Sequence, residues 1–436
     1  MNPINMMSWR PSLRPVVLAV VVGLSMGAAG LAHADEEDTP LYLSVAHSIT
    51  RDSNFSRDSR SQGETVNVTA LQAGIDKAYG RQTYRGSAKV SKYNYAYYGD
   101  TLNNDGKDLD GTFSSEFLRD WRVTADGTYT ENLNQVTDNN DAANRVVRNI
   151  RTYRDGNLAV QYGIGGLYSL TAQYDANKLK YSAPTYRVND ANQHTTGLRA
   201  TYNSTDMLNF GLGYRLVRTH FVSRADDESQ KDRNIDFTTN WQVSGLSNLN
   251  ATLTRRNTVY SSDPDRTVRG WTGGLNWLYT PSGLMTYGVG LQRATGADRT
   301  KNDKLIKGTL LSSLNTDNNN VSTTLDLSAR MKVTGKVNAY VAYNLTRYAI
   351  DNQNVGTVPQ CTVNGSGVIV SCVAVPGDSS DRSSSMFHST TLGMNYAATR
   401  AISLGCSYKR YDQSPGANRI AYDGHSVDCS ASLTID

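Results

Sequence analysis

From Leu41 to Ile435 the dominant period of the chain is two. Ile235, Phe237, Trp241 and Val243 share one parity, while Asp236, Thr238, Asn240 and Gln242 take the other. Leu325, Leu327, Ala329 and Met331 alternate in the same way with Thr324, Asp326, Ser328 and Arg330. Val337, Ala339, Val341, Tyr343 and Leu345 repeat the pattern. Such alternation gives a strand one apolar and one polar face. Strands of a soluble sandwich are usually about five or six residues long. Many runs here are about 10–14 residues, which is the length a tilted strand needs to cross a bilayer.

The connections alternate in kind as well. Short turns fall at Ala78–Arg81, Gly163–Gly166, Asn203–Asp206, Gly245–Asn248, Thr280–Gly283, Thr334–Gly335 and Thr399–Arg400. Between them lie longer polar segments at Asp52–Gln62, Gly99–Asp110, Leu133–Arg148, Arg224–Asp232 and Asp351–Ser385. Short turns on one side and long loops on the other mark a transmembrane antiparallel β-barrel of about eighteen strands, with both termini on the short-turn, periplasmic side. Lys304–Leu314 falls in an outer loop; a further strand, a loop helix or an in-folded constriction are the alternatives for it. A bilayer favours closure because every backbone N–H and C=O must find a partner where water is absent.

Parity then sorts the side chains. The apolar parity faces lipid, with Trp241, Trp271, Trp277, Tyr279 and Tyr287 near the headgroups. The polar parity faces the lumen and carries Arg85, Lys89, Arg122, Arg199, Arg215, Arg256, Arg330 and Lys409 together with Asp126, Asp175, Asp236, Asp326 and Asp428. Charges inside a pore either select solutes or pair across neighbouring strands and solvate the wall. Tyr93, Tyr95 and Tyr97 line one face of one strand, and Tyr340, Tyr348 and Tyr411 fall on polar parities. A ring with a hydroxyl can stack on the C–H face of a sugar and still hydrogen-bond it. The interfacial girdle accounts for most of the other tyrosines.

Composition narrows the class further. The 436 residues have a mean hydropathy of -0.50, with 26 Tyr, 36 Gly and 7 Phe. After the first segment no apolar run reaches the ~18–20 residues of a spanning helix. A charged fraction of 19% is too low for a disordered chain. At the start, Arg10 and Arg14 precede the apolar Val16–Leu24, and Ala32-His33-Ala34 has the form of a cleavage site. Residues 1–34 therefore form a secretory signal peptide and 35–436 the barrel. Taking Arg10 and Arg14 from 44 basic residues leaves 42 against 40 acidic ones, too even a balance for a nucleic-acid binder.

Candidate chemistry is sparse. Four cysteines, Cys361, Cys372, Cys406 and Cys429, suit an oxidising compartment and two sequential disulfides. Cys406 and Cys429 share the apolar parity about a polar turn. His47, His194, His220, His388 and His425 sit apart, without a second His or Cys at zinc spacing, and read as interface or loop histidines. No phosphate-cradling loop is present, and no cofactor, metal or catalysed reaction is expected. A barrel hydrolase assembled from distant strands is the third alternative, after a channel for polysaccharide and a diffusion porin for small or oligomeric solutes.

The entry to the first loop, His47-Ser48-Ile49-Thr50-Arg51-Asp52-Ser53-Asn54-Phe55-Ser56-Arg57, resembles the Asp-x-Asn-hydrophobic-x-Arg opening of the EpsL-type exopolysaccharide-export barrels, the β-barrel porin 2 group. Gly80-Arg81-Gln82, Trp121, Trp241 through Gly245-Leu246-Ser247, and Gly270-Trp271-Thr272-Gly273-Gly274-Leu275-Asn276-Trp277 are similar to that group too. The ending Leu433-Thr434-Ile435-Asp436 lacks the usual terminal aromatic, and the Cys-bearing outer loop has no counterpart in the pattern. The resemblance implies an outer-membrane channel for a secreted polysaccharide, working with periplasmic and inner-membrane export proteins in contact with outer-membrane lipid. For Asp52, Asn54, Phe55 and Arg57 it implies a fixed first extracellular loop, where a turn capped by the Asp and Asn side chains is the simpler alternative.

Overall fold

The computed structural model describes residues 40–435, except 59–60, 135–145, 225–227, 262–266, 307–308, 364–368, 377–378 and 417–418. For 267, 297–306, 309–319, 351–363, 369–372, 374, 376 and 379–381 it describes the backbone alone. The signal segment 1–34 lies outside the described residues.

The strands run β1 (Leu41–Asp52), β2 (Glu64–Tyr79), β3 (Gln82–Tyr95), β4 (Asn104–Phe117), β5 (Trp121–Leu133), β6 (Ile150–Tyr162), β7 (Tyr168–Tyr181), β8 (Ala191–Thr205) and β9 (Leu208–Phe221). They continue as β10 (Ser229–Ser244), β11 (Ser247–Tyr260), β12 (Thr267–Ser282), β13 (Met285–Ile306), β14 (Thr309–Lys332), β15 (Val337–Val363), β16 (Ile369–Pro376), β17 (Ser379–Ala397), β18 (Ile402–Gln413) and β19 (Tyr422–Ile435). Each pairs antiparallel with its neighbour, and β1 pairs with β19 from Leu43↔Ile435 to Asp52↔Ser426. The wall is thereby closed, and within it no described strand is left as an edge.

The wall has eighteen strands, because β15 pairs directly with β17 from Val337↔Tyr396 to Asn354↔Ser379. β16 pairs instead with the outer end of β15, Thr357↔Pro376 to Val363↔Ile369, within the connection. Both described termini lie on the short-turn rim. Three segments read from sequence as loops are largely strand. Asn104 already opens β4, Lys304–Leu314 belongs to the tip of the β13–β14 hairpin, and much of Asp351–Ser385 extends β15–β17. These outer ends are rich in Asn, Thr and Ser and stand beyond the membrane, so no lipid imposes the apolar alternation that marks a strand in sequence.

Alternation is strict in the wall. β1 reads exposed at Leu41, Leu43, Val45 and Ile49 and less exposed at Ser44, Ala46, Ser48 and Thr50. Register partners carry that parity round the whole barrel. The exposed face is aliphatic in the middle and aromatic toward the short turns, where Trp121 lies 5.0 Å from Tyr162 and Tyr168 lies 5.2 Å from Tyr202 between ring centroids. Trp241, Trp271 and Tyr287 are exposed on the same face, as parity predicts. An apolar outward band between aromatic girdles over a polar interior is the construction of an outer-membrane barrel. The protein is such a barrel, and it resides in the bacterial outer membrane.

Candidate functional site

The register places eighteen of the nineteen sequence-derived lumen residues on the inner face. Lys89 faces Gln72 and Asp108, Tyr93 faces Val68, and Tyr95 faces Val66 on β2. Asp326 faces Asn344 and Gly290, and Arg330 faces Tyr340. Tyr97 is the exception. β3 ends at Tyr95, and Tyr97 lies in the connection with 64% of its surface exposed, edge-on to Tyr98. The chain turns there because a carboxylate captures the backbone, as described below.

Much of the inner charge is spent on the wall itself. Arg215 Nε lies 2.8 Å from Asp236 Oδ2 and its Nη2 3.1 Å from Oδ1, and Thr254 donates to the same carboxylate. Arg256 pairs with Asp232, Arg85 with Asp76, and Arg122 with Glu116. Asp126 accepts from Thr112, and Asp326 from Asn344. The inner face of β8–β11 is thus a closed polar network in which Asp232, Asn234, Asp236 and Gln230 are all buried. Arg199 lies beside it, within electrostatic reach of Asp236 and Arg215.

One of these groups reaches past its own strand. Arg256 Nη1 donates to the backbone carbonyl of Thr295 at 3.0 Å. Arg256 faces Gly270 on β12, and a Cβ built on Gly270 would stand 3.6 Å from Thr295 Cγ2. Thr295 therefore lies on the lumen side of β12. The β12–β13 ladder accordingly stops at Gly273↔Arg293, while β13 and β14 stay paired out to Ile306↔Thr309. Beyond Arg293 the hairpin leaves its wall neighbour and leans inward. Lys304–Leu314 sits at its tip, where side chains are outside the described set.

The first loop is fixed at the lumen mouth. Arg57, at φ 54°, turns back so that Nη1 lies 2.8 Å from Asp52 Oδ1 and Nη2 2.7 Å from Oδ2. Its guanidinium stacks 3.9 Å from the centroid of Tyr411, whose hydroxyl donates to Asp52 at 2.5 Å. Asn54 N–H donates to Asp52 Oδ1, and Asn54 Nδ2 to the carbonyls of Asp58 and Asp423. Phe55 rests 5.7 Å from Tyr95 and 6.0 Å from Tyr98. The turn is capped by Asp52, and the loop is tied to β18 through Tyr411 and to β19 through the Asp423 carbonyl. Burial pulls the Arg57 pKa down, but the hydrogen bond and charge of Asp52 outweigh it and leave it raised.

Residues missed in the sequence complete the mouth. Glu64 is buried and accepts from the N–H groups of Thr65, Ala96 and Tyr97 on Oε1 and of Tyr98 on Oε2. That turn of the chain takes Tyr97 off the strand and leads into the single helical turn α1 (Gly99–Leu102). Arg419, from the last loop, stacks 3.8 Å from the centroid of inward-facing Tyr348. A carboxylate on inward parity directly after Gly63 is the one signal that could have drawn attention to Glu64. Arg419 lies in an irregular segment and carries none.

Tyrosines on the inner face lie along the wall. A Cβ built on Gly74, Gly393 or Gly424 would overlap the phenol of Tyr42, Tyr340 or Tyr411 respectively. Each glycine is the register partner of the tyrosine that covers it. The missing side chain provides the berth, and the ring lies flat across the neighbouring strand.

Disulfide geometry follows the parity argument. Cys406 and Cys429 are register partners on the outward face and are bonded, with Cα atoms 4.1 Å apart. Cys361 and Cys372 are register partners on β15 and β16, and their side chains lie outside the described residues. Among the histidines, His47 meets Thr69, His194 meets Tyr174, His388 meets Tyr343 and His425 stacks near Tyr408, all on outward parity. Among the described residues no group of His, Cys, Asp and Glu is arranged to hold a metal.

No protein-family model and no curated protein matches the chain. Solved structures with a similar course include OpdK of Pseudomonas aeruginosa, with vanillate, at 12% identity and a TM-score of 0.46, covering 91% of this chain and 99% of that one. The siderophore receptor PirA of the same organism gives 13% and 0.41, covering 92% and 82%. The FrpB iron transporter of Neisseria meningitidis gives 10% and 0.41, covering 92% and 82%. At these values the likeness adds nothing to what the strand register of this chain establishes.

Proposed function

We propose that this porin-like barrel is the outer-membrane exit of a polysaccharide, working with periplasmic and inner-membrane export proteins and catalysing no reaction. The observation that carries the proposal is the set of inward tyrosines at two heights. Tyr42 and Tyr340 lie flat over glycines near the short-turn end, while Tyr93, Tyr95 and Tyr348 lie near the mouth, where Tyr411 is buried beneath Arg57. Rings laid along a wall offer broad weak contacts to the C–H faces of passing sugars, and their hydroxyls add hydrogen bonds. Arg419, stacked on Tyr348, adds donors for sugar hydroxyls or carboxylates. The motif that resembles EpsL-type barrels supports the same view, since Asp52, Asn54, Phe55 and Arg57 build the mouth.

The testing experiment is deletion of the gene in its host and complementation, with surface and periplasmic polysaccharide assayed separately. The proposal expects surface polymer to be lost and restored by the wild-type gene, and restored poorly by Tyr340→Ala with Tyr95→Ala. Unchanged surface polymer in the deletion strain overturns it.

A second proposal, a diffusion porin for small or oligomeric solutes, is favoured by the contact of Arg256 with Thr295. A hairpin leaning into the lumen narrows it, and narrowing suits small solutes more than a polymer. Loss of small-sugar uptake with normal surface polymer is the outcome that selects it.

A further inference from the structure

The lipid-facing surface is not uniformly apolar. On β7 the outward positions run Tyr174, Ala176, Lys178 and Lys180 toward the long loops; on β9 they run Tyr214, Leu216 and Arg218; and on β10 they run Phe237, Ile235, Arg233 and Lys231. Arg154 of β6 faces Lys178, and Arg218 of β9 faces Lys231, so the cations form a band of two clusters with Asn192 and His194 of β8 between them. The outward positions of β6–β10 contain no Asp or Glu. Among the described residues none of Lys178, Lys180, Arg218, Lys231 and Arg233 is in an ion pair. At the opposite rim the same strands present Tyr162, Tyr168, Phe210 and Trp241 instead.

On β6–β10 the band is of one sign, with Glu131 of β5 bordering it beside Arg154, and it sits directly above the apolar belt at the outer rim alone. A group that meets it must be anionic and must reside in the outer leaflet. The surface there is also concave. One hollow is lined by Thr152, Arg154, Lys178 and Lys180. The adjoining surface is shallow and open; it lies over Gly156 and Ala176 between Arg154, Lys178 and His194, with Asp155 also on its lining. A Cβ at Gly156 would meet nothing within 4 Å, so an incoming group has access down to the backbone.

We propose that this band is a binding site for the phosphate groups of outer-leaflet glycolipid, centred on Arg154, Lys178 and Lys180. The phosphates would bind the guanidinium and ammonium donors, and the acyl chains would descend over Leu158 and Tyr174. Several cations acting together favour a phosphorylated headgroup over a neutral one. The site is independent of what passes through the lumen.

The test uses the purified full chain in zwitterionic detergent micelles, titrated with diphosphoryl lipid A and with the same lipid after removal of its phosphates. Wild type is expected to bind the phosphorylated lipid about tenfold or more tightly. The combined variant Arg154→Gln, Lys178→Gln, Lys180→Gln is expected to lose the preference while still shifting on gels between boiled and unboiled samples as a folded barrel does. Lys77→Gln, outward at the short-turn rim, is expected to keep it. Equal binding of the two lipids by wild type overturns the proposal without reference to any variant. So does a preference that survives in the triple variant, or displacement of the lipid by millimolar inorganic phosphate, which would make this a site for free phosphate.

Discussion

Asp52 and Glu64 face each other across the first hairpin, two buried carboxylates in direct register on the inner face. Like charges placed so are destabilising, and each is met by a separate device. Asp52 has the guanidinium of Arg57 and the Tyr411 hydroxyl, whereas Glu64 has the N–H groups of four residues. The conflict between the two carboxylates ties the first loop to β18 and the second loop to β2.

Arg57→Ala removes one device and leaves both carboxylates. Breaking a buried pair on one side costs about 3–5 kcal/mol. The expected outcome is a lower urea midpoint in lipid vesicles and rapid protease nicking in the first loop. Asp52→Asn combined with Arg57→Ala is expected to recover part of the loss, because the orphaned charge is gone. Arg57→Lys recovers little, since an ammonium cannot match the carboxylate with two parallel hydrogen bonds and lie on Tyr411.

Ionisation of Arg57 sets an alkaline limit on the same contact. Its pKa is raised in the folded protein, so its contribution is complete below the unfolded-state pKa and is lost only as pH rises through the higher folded value. Between pH 6 and pH 9, a range far below where arginine ordinarily loses its proton, first-loop protection measured by hydrogen exchange at the Asn54 amide is expected to be flat with respect to this group. Weakening of that protection in step with an arginine titration inside the range would contradict the assignment.

Removal of the outward disulfide should leave the lumen unchanged. Cys406 and Cys429 are already held by the β18–β19 ladder on both sides. The Cys406→Ser, Cys429→Ser protein is expected to assemble, to lose at most about 3 kcal/mol of stability, and to keep its single-channel conductance. A changed conductance would mean that this face communicates with the pore.

Parity made the barrel legible. Lipid enforces an apolar residue at every second position, so the eighteen wall strands, the sidedness of the termini and the inward set from Arg85 to Lys409 could be read directly. Where that pressure ends, so does the signal. β13 and β14 continue through Thr295 and Asn315 with polar residues on both parities, and a sequence of that kind does not distinguish a strand from a loop. The departure of Tyr97 from β3 depends on Glu64, which is thirty-odd residues earlier in the chain and close only after folding. Glycines opposite tyrosines are likewise a register property: Tyr340 and Gly393 become neighbours only once β15 and β17 pair past the intervening hairpin.

The inward lean of the β13–β14 hairpin predicts a conductance change in a definite direction. Arg256→Ala removes the one described side chain that holds the Thr295 carbonyl from the far side of β12. Single-channel conductance is expected to rise. Gly270→Cys with Thr295→Cys brings two thiols within bonding reach, because a Cβ at 270 would stand 3.6 Å from Thr295 Cγ2, and oxidation should hold conductance low until a reductant is added. If both variants conduct as wild type does, the hairpin does not limit the pore, and the small-solute proposal loses its support.

Gly393 supplies the sharpest test of the flat tyrosines. A Cβ there overlaps the far end of the Tyr340 phenol, a flexible group, so Gly393→Ala should fold normally and re-aim Tyr340 into the lumen. Two consequences separate packing from transport. If the flat ring is merely wall, displacing it narrows the pore, and conductance falls in Gly393→Ala but recovers in Gly393→Ala with Tyr340→Ala. If the flat ring is a contact for sugars, the double variant recovers conductance yet still fails to restore surface polymer. Recovery of both in the double variant would remove Tyr340 from the polysaccharide path and leave Tyr42, Tyr93, Tyr95 and Tyr348 to carry the proposal.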